Sequence, residues 1–188
     1  MARSWYPMPL PRSAAAHAVC ATCAAALVLW ARHLPAAELA VTRVNFAPEV
    51  SAKLQDYGES EGATVRAAIL SAVARESKRV AVPAGLGVSV MVEDLAPSRL
   101  TRKQLNDNPS LDVVHSKSLG GAELKGEVSD AQRHVLTTVS YRYFPSEITL
   151  GSVAHDPWAD ARLAIDGFAA KLAAACRELP RQAQGSGG

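Results

Sequence analysis

From Leu86 to Leu95 the chain reads LGVSVMVEDL, which sets Leu86, Val88, Val90 and Val92 at every second position. Side chains of an extended strand point alternately to its two faces, so this spacing calls for a sheet with one buried side. Three other stretches agree with it. Val41 to Ala47 (VTRVNFA) alternates Val44 and Phe46 with Arg43 and Asn45. In Ser118 to Ala131 (SLGGAELKGEVSDA), Ala122, Leu124, Gly126 and Val128 share one side, and Glu123, Lys125, Glu127 and Ser129 take the other. Val135 to Phe144 (VLTTVSYRYF) is rich in β-branched and aromatic residues, with Val135, Thr137, Val139 and Tyr141 expected on one side. Ser129 to His134 predicts the turn that joins these last two strands as a hairpin.

Two segments carry the helical period instead. Ala63 to Lys78 gathers Val65, Ala68, Ile69, Ala72 and Val73 on one stripe, opposite Arg66, Ser71 and Arg75. Asp156, Pro157 and Asp160 form a helix start, with a carboxylate cap, a proline where no amide is needed and a further acid in the first turn. Ile165, Phe168, Leu172, Ala175 and Leu179 follow as its apolar stripe, and Cys176 beside them reads as a buried core thiol. Gly167 inside that helix costs about 1 kcal/mol against alanine, which implies close packing on the sheet. The stretch around Pro48 and Gly58 reads as irregular. The expected fold is therefore an α+β two-layer sandwich of about four strands, in the order β-α-β-β-β-α, with two helices on one sheet face and a right-handed first crossover.

The domain is expected to span 41–180, ending at Pro180, with 181–188 (RQAQGSGG) a disordered tail that has no apolar content to bury. Ahead of it, Arg3 and Arg12 precede the uncharged run SAAAHAVCATCAAALVLWA, and small residues follow in LPAAELA. This is the pattern of a secretory signal peptide over 1–40, and the run is also close to the ~20 apolar residues of a membrane anchor if it stays uncleaved. The expected location is periplasmic or secreted, with inner-membrane anchoring as the alternative.

Loss of that segment removes Arg3, Arg12 and Arg32 from 20 basic residues and Glu38 from 18 acidic ones, leaving 17 of each. A balanced chain has no general field for nucleic acid or anionic lipid, so no nucleic-acid partner is expected and membrane contact is confined to the N-terminal segment. Cys20 and Cys23 would leave with the signal, so Cys176 could form no intramolecular disulfide.

Residues with catalytic potential are scattered. His115, His134 and His155 do not sit at ligand spacing from one another, no HxH, HExxH or CxxC motif occurs in the mature part, and neither a metal nor a cofactor is expected. His115 beside Ser116 would point to the opposite face of an extended chain, and Glu93-Asp94 reads first as a solvated strand end. Gly85-x-Gly87 and Gly120-Gly121 lack the GxGxxG or phosphate-loop setting and read as a strand entrance and a bulge. No catalytic residue is assigned. The long connection Ala96 to Leu119 stands out, because long loops in small domains often carry function. Within it Thr101 and Gln104 form a capping box for one helical turn, and Arg99, Arg102 and Lys103 form a basic cluster that could dock an acidic partner or an anionic ligand.

The VxVxF-like start with Pro48-Glu49, Tyr57-Gly58, the strand ending in Glu93-Asp94-Leu95 and the stretch GGAELKGEVSDA together resemble small secreted bacterial proteins of uncharacterised function, by element order over most of 41–175. Such proteins often continue the hairpin as D-A-x-G, whereas this chain has Asp130-Ala131-Gln132-Arg133. The resemblance implies a periplasmic or envelope-associated α+β domain without a recognised catalytic centre. The expected function is a non-enzymatic domain that binds an envelope protein or a small ligand. The alternative is a periplasmic hydrolase with a dispersed site around Glu93, Asp94 and His115.

Overall fold

Val88, Val90 and Val92 are fully buried in β2 (Gly87–Ala96), and the sheet assembles around that strand. The computed structural model describes residues 39–80, 82–112, 116, 118–147 and 156–185, with side chains as far as Leu179. The expected signal or anchor segment lies outside the described residues, as do His115 and His155. β1 (Ala40–Phe46) pairs in parallel with β2, and β3 (Gly121–Ser129) and β4 (Val135–Tyr143) follow antiparallel, giving the spatial order β1-β2-β3-β4. Among the described residues four helices accompany the strands: α1 (Pro48–Tyr57), α2 (Glu59–Arg79), α3 (Arg102–Asp107) and α4 (Ala159–Gly185). The four-stranded α+β fold is as the sequence predicts, but two further helices, α1 and α3, join the two that were expected.

One side of the sheet meets the helices. Val44, Val88, Val90, Val92, Leu124 and Val128 pack there with Val65, Ile69 and Val73 of α2 and with Ile165, Phe168 and Leu172 of α4. Phe168 lies over β3 so closely that a Cβ on Gly126 would meet its Cζ at 2.8 Å, and Gly167 lets the Tyr141 ring of β4 reach the helix backbone. Close packing at Gly167 is thus as expected. Cys176 is fully buried, and burial pushes its thiol up to about 11.

A bulge in β2 settles a conflict in the sequence. Unbroken alternation from Val92 would bury Asp94 and expose Leu95, but the register shifts between Val92 and Asp94, and Leu95 is 0% exposed while Asp94 stays at the surface. A second shift, between Val128 and Ser129, changes the expectation for Val135. It does not join Thr137, Val139 and Tyr141 on the buried side but pairs with Ser129 and is 58% exposed.

The stretch around Pro48 is helical rather than irregular. Proline opens α1 at its first turn, Val50 is buried, and Leu54 and Tyr57 follow at helical spacing against the core. Gly58, at φ 128°, closes α1 with its amide on the Leu54 carbonyl and lets α2 begin one residue later. α4 in turn continues through Pro180 to Gly185 instead of ending there. Proline removes one amide bond to the preceding turn, and that single loss does not stop the helix.

In the β3–β4 turn Asp130 accepts the amide of Arg133 through its backbone carbonyl, and Arg133 holds φ 68°. This left-handed residue falls where the D-A-x-G pattern has glycine. A non-glycine side chain there carries strain of ~1 kcal/mol or more. Arg133→Gly should therefore raise stability by about 1 kcal/mol in urea unfolding, less the added chain entropy of glycine. A loss of stability would mean that the arginine side chain contributes more than its backbone strain costs.

Candidate functional site

The connection from β2 to β3 is fixed to the start of α4 at both of its ends. Ser98 donates its amide to the Pro157 carbonyl at 2.7 Å and its hydroxyl to Asp160 Oδ2 at 2.8 Å, and it accepts the Asp160 amide at 3.1 Å. Gly120, at the far end, donates its amide to the same Asp160 carboxylate at 3.2 Å. Ser118 closes the gap by donating to the carbonyls of Pro97 and Ser98. The approach of Gly120 to Ser98 leaves no room for a side chain, since a Cβ would lie 2.7 Å from the Ser98 amide nitrogen. Asp160 thus does more than favour the helix dipole.

Between these anchors the predicted capping box is present: Thr101 accepts the Gln104 amide, and the Gln104 side chain accepts the Thr101 amide at 3.0 Å. Thr101 is fully buried, which fixes where α3 starts. The basic cluster then divides. Arg99 and Arg102 line a cleft of about 520 Å³, whereas Lys103 pairs with Asp107 along α3 and takes no part in the lining. Its Cβ lies against Gly58 instead.

Ser60, Glu61 and Thr64 of α2 form the second wall, and Asp156, Pro157 and Trp158 at the start of α4 form the third. Trp158 is 2% exposed, stacks edge-on with Tyr57 at 5.7 Å, and donates its indole N–H to Glu61 Oε2 at 2.6 Å. Asp156 accepts the Trp158 amide at 2.9 Å, as a capping carboxylate should, and its other oxygen accepts from Arg162. Both acids at the cleft are therefore engaged within the fold. Leu100 and Leu105 add apolar surface beside the two arginines, so the cleft offers cations next to a hydrophobic lining.

Sequence reasoning missed this third wall. Trp158 lies in a turn between the described strands and α4, without a periodic pattern to mark it. A single tryptophan beside a capping Asp-Pro is nonetheless a signal, because a buried indole needs a partner for its N–H.

The two acids that close β2 do not act together. Glu93 lies on the open face of the sheet, while Asp94 accepts Lys53 Nζ at 2.7 Å and the Leu95 amide at 2.8 Å, tying α1 to the strand end. Burial alone would raise the Asp94 carboxyl, but the bonds from Lys53 and Leu95 and the charges of Lys53 and Arg142 hold it below the usual range. His134 sits in the exposed hairpin turn with Nδ1 3.2 Å from Asp130 Oδ2. Among the described residues no three His, Cys, Asp or Glu side chains gather as metal ligands, and no helix is long and apolar enough to cross a membrane.

No family model matches the chain, and no curated protein matches it. The crystal structure of protein XCC0632 from Xanthomonas campestris, described as DUF330, is similar over 80% of this chain and 91% of that one, with 11% sequence identity and a TM-score of 0.39. A likeness that distant assigns no role to any residue here.

Proposed function

We propose that the α+β domain from β1 to α4 is exported to the bacterial envelope, periplasmic or secreted, and binds a partner protein or small ligand through the cleft between α2, α3 and the start of α4. The observation that carries this reading is the convergence of Arg99 and Arg102 with Trp158 on one cleft of about 520 Å³, within the size range of ligand sites. Arg99 and Arg102 bring two cations beside Leu100 and Leu105, a lining that favours an anionic group attached to an apolar body. The export half rests on the signal-like segment 1–40 and predicts a mature N-terminus between Ala37 and Val41, read by intact mass.

Binding is tested by capture from envelope fractions at several salt concentrations. Arg99→Ala with Arg102→Ala should weaken capture several-fold and flatten its salt dependence, with stability unchanged within ~0.5 kcal/mol. Lys103→Ala should behave like the wild type, because its charge is turned toward Asp107. An equal loss from Lys103→Ala would move the contact to the outer side of α3, and unchanged capture by the arginine pair at low salt would remove the cleft as the docking site.

A further inference from the structure

The outer side of β4 has no neighbouring strand among the described residues. Lys171 Nζ of α4 donates to the Ser140 carbonyl at 3.0 Å, which shows that this carbonyl points away from β3. Strand alternation then turns the backbone groups of Thr138 and Arg142 outward as well. The opposite edge is differently built. β1 has only seven residues, a register shift between Val41 and Arg43, and the charge of Arg43, all of which discourage pairing.

We infer that two copies of this chain pair through β4, antiparallel about Val139, to continue the sheet across the two molecules. This rests on the edge of the sheet and is independent of the cleft. In that register Thr138 and Ser140 of each copy exchange hydrogen bonds with Ser140 and Thr138 of the other. Val139 faces its own equivalent, and Thr137 faces Tyr141 of the second copy, which are β-branched and aromatic pairs of the kind that stabilise sheets. Arg142 faces Leu136, so no like charges oppose each other, and from Val135 to Tyr141 the strand carries no charge at all.

The helix layer allows the same contact. α4 rests on both β3 and β4, with Phe168 over Gly126 and Gly167 against Tyr141. Its axis therefore lies between the two strands, and pairing at the β4 edge puts the two α4 axes about two strand spacings apart, ~10 Å, a usual helix-packing distance. Leu163, Gly167 and Lys171 share one stripe of α4 on that side. Of the five exposed large hydrophobic residues described, Val135, Leu136 and Leu163 lie along this edge and would be covered. Lys171 must release Ser140 for the second strand to enter.

Sedimentation of the full chain over a range of concentrations tests the pairing. Thr138 and Ser140 are exposed, so charges placed there leave the fold intact, which a melting curve checks. Thr138→Lys with Ser140→Lys sets lysine against lysine at both symmetric pairs and should weaken dimerisation about tenfold or more. Thr138→Lys with Ser140→Asp sets opposite charges across the same pairs, places the new lysine opposite Glu127 and the new aspartate opposite Lys125 within each copy, and should restore it. A wild-type chain that stays monomeric at every concentration overturns the inference. So does a dimer that the lysine pair leaves unchanged, or one that the Lys-Asp pair fails to restore.

Discussion

Gly121→Ala is expected to destabilise the domain by about 3 kcal/mol or more, from two separate causes. Gly121 holds φ 152°, where a side chain adds strain of ~1–3 kcal/mol. A Cβ would also stand 2.3 Å from the Tyr143 carbonyl oxygen and 2.6 Å from Phe144 Cδ1. The first of these atoms is backbone, in the ladder that pairs Ala122 with Tyr143, so it can retreat only if the end of the β3–β4 hairpin opens. Gly85→Ala separates the two causes. Gly85 has φ 83° and nothing within 4 Å of its would-be Cβ, so that variant carries backbone strain alone. Urea unfolding of both should give a clearly larger loss for Gly121→Ala. Equal losses would show that Tyr143 yields easily and that the glycine is required only for its dihedral angle.

That glycine was visible in the sequence, though its reason was not. Gly120-Gly121 could be read as a bulge, yet the atoms that exclude a side chain belong to Ser98 and Tyr143, both more than twenty residues away. The same division runs through the fold. The four strands, α2 and α4 were legible because each buries a repeating face: Val88, Val90 and Val92 at period two, Val65, Ile69 and Val73 at helical spacing. The capping box at Thr101 was legible because it is a local exchange over three residues. α1 was not, since Val50 is its only fully buried side chain and the surrounding PEVSAKLQDY is mostly polar. At the cleft, Arg99 and Arg102 stood out as charges in a long loop. Lys103 looked equivalent to them until α3 turned it toward Asp107. Ser98 with Asp160, and Trp158 with Glu61, are pairs 62 and 97 residues apart, which no local pattern announces.

The second large effect is expected at Trp158, which joins the walls of that cleft. Trp158→Ala removes a fully buried indole and should cost about 3–5 kcal/mol through lost contacts and the cavity left behind. Trp158→Phe keeps most of the ring against Tyr57 but loses the N–H that bonds Glu61 at 2.6 Å. A hydrogen bond to a charged group contributes roughly 1.5–3 kcal/mol, so the phenylalanine variant should fall between the wild type and the alanine variant. Glu61→Gln measured alone and together with Trp158→Phe isolates the pair. If the bond carries the effect, the double variant should lose clearly less than the sum of the singles. Additive losses would mean that Glu61 is satisfied by water once the indole is gone and that Trp158 acts by packing alone. The same variants bear on binding, because Glu61 without its indole partner presents an unengaged carboxylate to the cleft that Arg99 and Arg102 line. Trp158→Phe should then weaken capture of an anionic ligand beyond what its stability loss explains, and Trp158→Phe with Glu61→Gln should recover part of it.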